Sequence, residues 1–188
     1  RDILGWTMPA SMTQFFNPAF IIIFGSIFSV MWVKLDKMGK NPSIPMKFAL
    51  GILQLGAGFL ITLVGLQFAN EEAMVPLLTL VFLYLLHTTG ELFLSPIGLS
   101  MVTKLAPKNM AGTAMGGWFL SFAIANYAGG LIASLTGGHG DSGAELDAAA
   151  GLAKYTEVFS TIGWTCVGIA VLIALLNKPL NSLMHGVK

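Results

Sequence analysis

The chain has 188 residues, 55% of them hydrophobic and only 10% charged, with a formal net charge of +1 and a mean hydropathy of +0.76. Soluble domains carry about a quarter charged residues, so composition alone marks a membrane protein, and so small a net charge leaves no electrostatic case for nucleic acid. The lone cysteine, Cys166, lies in an apolar run; it excludes a disulfide framework or a cysteine metal cluster and reads as a small core residue.

Arg1 to Met8 reads as a loop, with Trp6 an interface anchor and Thr7 capping a first helix that holds Pro9 in its first turn. That helix is predicted over 9–35, with Asn17-Pro18 about two turns in, where the proline should bend it. The turn Lys34 to Lys47 is basic and holds two prolines. A second helix over 45–68 carries Gly51, Gly58 and Gly65 at seven-residue spacing, one stripe for close helix contact. After the acidic turn Asn70-Glu71-Glu72 comes a third helix over 76–103, then the basic turn Lys104 to Met110. A fourth helix over 110–135 opens with Gly112 and Gly116 in small-xxx-small spacing. Thr136 to Gly151 reads as a Gly-rich acidic loop, and a fifth helix over 155–177 is stopped by Lys178-Pro179.

Each predicted span is long enough to cross a hydrocarbon core of ~30 Å. Lys34, Lys37, Lys40, Lys47, Lys104, Lys108, Lys178 and Lys188 all fall on one side, while Arg1, Lys154 and most acidic residues fall on the other. The positive-inside rule puts the Lys-rich side and the C-terminus in the cytoplasm. An odd number of spans, with no initiator Met and no signal-peptide pattern, leads to the expectation of a later part of a longer protein.

One carboxylate, Glu91, lies near the middle of the third span. At ~1.5 Å rise per residue it is roughly 15–25 Å from either end, where a charge costs at least ~2.5–3.5 kcal/mol unless it faces protein or water. Intramembrane ionisable groups are functional by default, so Glu91 is the leading candidate site residue. Tyr84, His87, Glu91, Ser95 and Gly98 follow at offsets of three or four and share a face. Pro96 would free a backbone carbonyl beside them. A carboxylate beside a kink, with a hydroxyl one turn on, suits an ammonium group or a proton in transit.

His87 reads either as a proton relay to Glu91 or, the preferred reading, as a neutral core histidine bonded to a backbone carbonyl. Ser95 either lines a site with Glu91 or bonds back to its own helix. Asn17 either bonds substrate or joins helices. Trp118 sits deeper than an interface belt and could wall a pocket with Phe119 or Phe122, against the bland alternative of packing. Asn126 reads as helix glue, and His139 and His185 carry no ligand spacing. With no nucleophile–base pair, phosphate loop or paired aspartates, the sequence argues against an enzyme.

The run Leu86-His87-Thr88-Thr89-Gly90-Glu91-Leu92-Phe93-Leu94-Ser95-Pro96-Ile97-Gly98-Leu99-Ser100, continuing to Pro107, resembles the tenth-helix signature of proton-dependent oligopeptide transporters, the bacterial ones in particular. Gln14-Phe15-Phe16-Asn17-Pro18 resembles the family's eighth-helix Q-x-x-N-P motif, and Met115-Gly116-Gly117-Trp118-Phe119-Leu120 its eleventh-helix M-G-x-W-F-L. The order and spacing of all three agree over nearly the whole chain, and the tenth-helix match is the specific one.

The resemblance implies an all-α membrane protein, part of a major facilitator superfamily transporter of twelve helices in two bundles. Residues 1–188 would supply about helices eight to twelve of the C-terminal bundle. It implies symport of di- and tripeptides with protons across the bacterial inner membrane by alternating access, powered by the proton gradient without a cofactor or metal. Glu91 would receive the peptide's amino terminus and take part in proton coupling, Asn17 would hydrogen-bond the peptide backbone, Ser95 would line the site, and Trp118 and Phe119 would wall a side-chain pocket. The family's first-helix E-x-x-E-R motif, its carboxylate-binding residues and its seventh helix have no counterpart here. The expected partners are therefore peptide, protons, the bilayer and the N-terminal bundle of the same transporter, and the chain alone is expected not to transport. The alternatives are a cation-coupled or facilitative carrier or channel with Glu91 as selectivity group, or a structural membrane subunit in which Glu91 pairs with a partner span.

Overall fold

A computed structural model of the chain describes residues 2–3, 6–7, 10–69, 75–136 and 148–184. Pro9, the Asn70-Glu71-Glu72 turn, His139, His185, and the charges assigned to Arg1 and Lys188 lie outside the described residues. Where a loop was predicted at the start, β1 (Asp2–Ile3) and β2 (Trp6–Thr7) pair antiparallel, Asp2 opposite Thr7 and Ile3 opposite Trp6. Everything else of regular structure is helical: a 3-10 helix, Ala10–Phe15, then α1 (Phe16–Lys37), α2 (Ile44–Leu66), α3 (Leu77–Leu105), α4 (Ala111–Thr136), α5 (Ala148–Leu175) and α6 (Asn177–Leu183).

Several boundaries differ from the sequence expectation, each for a physical reason. Pro18 is the third residue of α1, not two turns inside it. The helical path runs on without a gap from the 3-10 helix Ala10–Phe15, and just before the proline, which has no N–H to give, it changes from 3-10 to α geometry. α5 begins at Ala148, seven residues before the predicted start at Tyr155, because Ala148, Ala149 and Ala150 are strong helix formers. The segment after α5 is not a plain tail: Pro179 falls in the first turn of α6, where a proline is tolerated. α3 stays helical through Pro96. α1 closes with a Schellman motif, Lys40 N–H on Leu35 O and Gly39 N–H on Asp36 O, both at 2.9 Å. That closure needs the left-handed φ of +67° that Gly39 supplies.

Two repeats bring the helices together. Phe16, Phe20, Phe24, Phe28 and Trp32 recur every four residues on α1, and the four phenylalanine rings follow one another at 6.1 Å. The ladder meets α3 at Tyr84 (6.1 Å from Phe16) and at Phe93, which takes Phe28 at 5.2 Å and Trp32 at 5.1 Å, edge to face. α2 packs between α3 and α5 through glycines. A Cβ on Gly51 would lie 2.8 Å from the Gly90 carbonyl oxygen, one on Gly58 2.6 Å from the His87 ring, and one on Gly65 inside Thr79. The heptad stripe is therefore the α3 contact. A separate glycine, Gly56, faces α5, where a Cβ would lie 2.9 Å from the Gly163 carbonyl and 3.1 Å from Cβ of Cys166.

Most buried positions are small or polar, among them Ala49, Ala170, Thr62, Thr79, Thr88 and Thr89, with Ile44 and Met184 the larger apolar exceptions among the described residues. That is the pattern of helices packing where apolar surface faces lipid. Gly112 and Gly116 do not make the predicted close contact within the chain, since a Cβ on either would meet nothing within 4 Å. From Phe119 to Ser134 every residue of α4 is exposed. Among the described residues four stretches are long and apolar enough to cross a membrane: Met12–Lys37, Ile44–Leu66, Leu77–Leu105 and Gly151–Leu175. α4, at 26 residues, has the length of these stretches and carries no charged side chain.

Candidate substrate-site cleft

The α2–α3 contact sets the position of Glu91. Because Gly51 and Gly90 let the two backbones touch, the next residue of α3 stands at the lip of an open cleft of about 300 Å³. Its walls are His87, Gly90, Glu91, Leu94 and Ser95 from α3, Gly51 and Leu55 from α2, and Phe122 from α4. Three of the predicted site residues, His87, Glu91 and Ser95, thus come together at offsets of four along one helix. Glu91 is exposed, and no cation lies within ion-pair distance of it among the described residues. Ser95 also has no hydrogen-bond partner among the described residues, whereas Thr103, Thr156 and Thr161 bond back to their own helices.

His87 is held on the other side of the cleft. Its ring hydrogen-bonds the Leu55 backbone, packs against Gly58 and lies 4.7 Å from the Phe59 ring. Its Nε2 is buried without a partner among the described residues. The neighbouring threonines tie α3 to α1 and α2. Thr88, with no exposed surface, accepts a hydrogen bond from Asn17 Nδ2 at 3.1 Å. The Thr89 hydroxyl lies 2.7 Å from Gln54 Oε1 and 2.8 Å from the Leu85 carbonyl.

Asn17 therefore stands on α3 through Thr88 and is not among the residues lining the cleft. Trp118 is also outside it. Its ring covers Gly98, seven residues beyond Glu91 or about 10 Å along the helix, and touches Phe122 edge to face at 5.9 Å. Phe119 is exposed, with its ring 6.4 Å from Phe122. The aromatic that reaches Glu91's cleft is Phe122, named in the sequence only as a companion of Trp118. Tyr84 and Gly98, predicted on the Glu91 face, are taken up by Phe16 and Trp118 respectively. Asn126 Nδ2 donates to the Phe122 carbonyl of its own helix at 2.8 Å, and among the described residues it bonds to no second helix.

The geometry offers a carboxylate and a hydroxyl, both without partners among the described residues, in a mostly apolar cleft, a setting for a small cationic ligand with an apolar body. The sequence model described as PTR2, the POT family, matches residues 1–147. The dipeptide and tripeptide permease B of Aeromonas hydrophila is 32% identical over 187 residues, 99% of this chain and 37% of the relative. The dipeptide and tripeptide permease A of Serratia proteamaculans is 36% identical over 181 residues, 96% of this chain and 35% of the relative. A crystal structure of a peptide transporter POT in complex with sulfate superposes with a TM-score of 0.81 at 32% identity, covering 98% of this chain and 34% of that one. A mutant peptide transporter POT in complex with alafosfalin gives 0.73 at 32% identity, over 98% and 35% of the two chains. The chain thus spans little more than a third of the length of the curated relatives it matches. With the family pattern running through α1, α2, α3 and α4, and the helical arrangement of solved transporters alongside it, this all-α, multi-pass membrane chain with the major-facilitator type of fold belongs to the POT family.

Proposed function

We propose that the chain is the substrate-facing part of a transporter that carries di- and tripeptides across the cytoplasmic membrane of a bacterium together with protons. The observation that carries this reading is the exposed Glu91 carboxylate beside Ser95, in a cleft in the middle of an apolar helix. The names of the permeases it resembles support the substrate class.

In this reading Glu91, ionised while the cavity is open, attracts the peptide's ammonium group, and Ser95 adds a hydroxyl next to it. Asn17 has its amide N–H on Thr88, so its Oδ1 is the atom offered to a peptide N–H. Phe122, Trp118 and Phe119 flank the peptide's side chains. When the site empties, a proton or a partner cation replaces the ammonium, and the change of charge at one residue biases the equilibrium between inward-open and outward-open states. His87 is the second candidate for the proton. The gradient supplies the energy and no cofactor takes part. α4 is read as a fifth crossing, with the Lys-rich turns and the C-terminus in the cytoplasm. The exposed length of α4 faces the remainder of the transporter, including its N-terminal bundle.

The test is uptake of a labelled dipeptide by proteoliposomes holding the full-length transporter, with and without an inward proton gradient, for wild type and Glu91→Gln. Accumulation driven by the gradient and lost in Glu91→Gln is the expected result. Accumulation retained in the variant would remove Glu91 from coupling. An absence of peptide flux in the wild type would reject the substrate class.

A further inference from the structure

A second charged group lies deep in the chain, and the peptide site does not use it. Lys47, in the first turn of α2, is only 6% exposed. Its ammonium sits 4.7 Å from the centre of the Trp32 ring, in a cleft of about 210 Å³ lined by Trp32, Ile44, Lys47, Pro96, Ile97 and Ser100. Among the described residues no carboxylate lies within 4.0 Å of it. The charged groups that act on it from a distance are Asp36 and Lys104, and Asp36 is engaged by Asn41 Nδ2 at 3.1 Å. A buried ammonium with its carboxylate neighbour Asp36 beyond ion-pair distance is unfavourable, and the face of one tryptophan offsets only part of that cost.

From these contacts we infer that Lys47, Trp32 and Ser100 form a binding site for a single carboxylate. Two positive features converge there, the ammonium and the N-terminal end of a 23-residue helix. Among the described residues the side-chain polar groups lining the cleft are the Lys47 ammonium, the Ser100 hydroxyl and the Trp32 indole N–H; the other walls are apolar. That donor set matches one carboxylate with its two oxygens and is too small for a phosphate dianion. The site is distinct from Glu91's. Ser100 is nine residues beyond Glu91, about 13 Å along α3 and on its opposite face. Its charge preference is also inverted: Glu91 calls for a cation, Lys47 for an anion. The carboxylate comes from one of two sources, a small solute or an acidic side chain from outside the described residues.

The experiment measures the rate at which an amine-reactive reagent modifies Lys47 in the wild-type, full-length transporter in lipid nanodiscs, read by peptide mapping. Acetate is the probe, with acetamide and chloride as controls. Slowing of Lys47 modification at least tenfold by acetate, and not by acetamide or chloride, establishes the site with a free carboxylate as occupant. Resistance of Lys47 without acetate, relieved at least tenfold by neutralising one Asp or Glu while the other lysines keep their rates, establishes it with a side chain as occupant. A rate that neither acetate nor any such substitution changes overturns the proposal.

Discussion

Gly51 of α2 and Gly90 of α3 meet backbone to backbone: a Cβ added to either would lie 2.8 Å from the carbonyl oxygen of the other. Side chains cannot approach a carbonyl that closely, and no flexible group at the contact can swing away. Gly90→Ala is therefore expected to force α2 and α3 apart, at a cost of about 1–3 kcal/mol as for other overpacked contacts. Thermal unfolding of the purified transporter checks it. An unchanged midpoint would mean that the two helices do not run this close.

Thr88 and Asn17 form a polar link between α3 and α1 that is closed to solvent on the threonine side. Thr88→Val keeps the shape and removes the acceptor, which should cost about 1 kcal/mol. Asn17→Ala should cost a similar amount, and the double variant little more than either single one. Strict additivity would show that the pair is not coupled.

Gly98 lies under the Trp118 ring so closely that any Cβ must displace the indole. Gly98→Ala should shift the Trp118 component of the fluorescence, isolated by subtracting the spectrum of Trp118→Phe. Because Trp118 also touches Phe122 at the cleft wall, peptide affinity should fall severalfold. A displaced indole with unaltered affinity would separate Trp118 from the substrate site.

His87 is gripped by Gly58, Phe59 and the Leu55 backbone. His87→Leu should lower thermal stability, because it deletes a packed ring and orphans the backbone group. Gradient-driven accumulation per folded molecule should persist. Loss of gradient dependence with stability intact would instead make His87 a proton carrier.

Much of this was legible in the residues. The spacing of polar groups on α3 marked Glu91, His87 and Ser95 as one set, and an α-helix places offsets of four on one face whatever surrounds it. The heptad Gly51, Gly58, Gly65 marked a contact face for the same reason. The aromatic ladder from Phe16 to Trp32 was equally periodic, and a search for repeats at four residues would have found it.

What no periodicity could supply was the partner of each face. Whether Gly51 meets α3 or α5, whether Asn17 points at a cavity or at Thr88, and which of Trp118, Phe119 and Phe122 reaches Glu91 depend on how separate helices are rotated and shifted against one another. Those choices are made between groups far apart in the chain, Asn17 with Thr88 and Ser43 with Asn177. Local sequence set the helices and their chemical faces, since those follow from propensity and spacing within a few turns. The cleft itself came from tertiary packing, because its walls belong to three helices and exist only where glycines let two backbones close to contact.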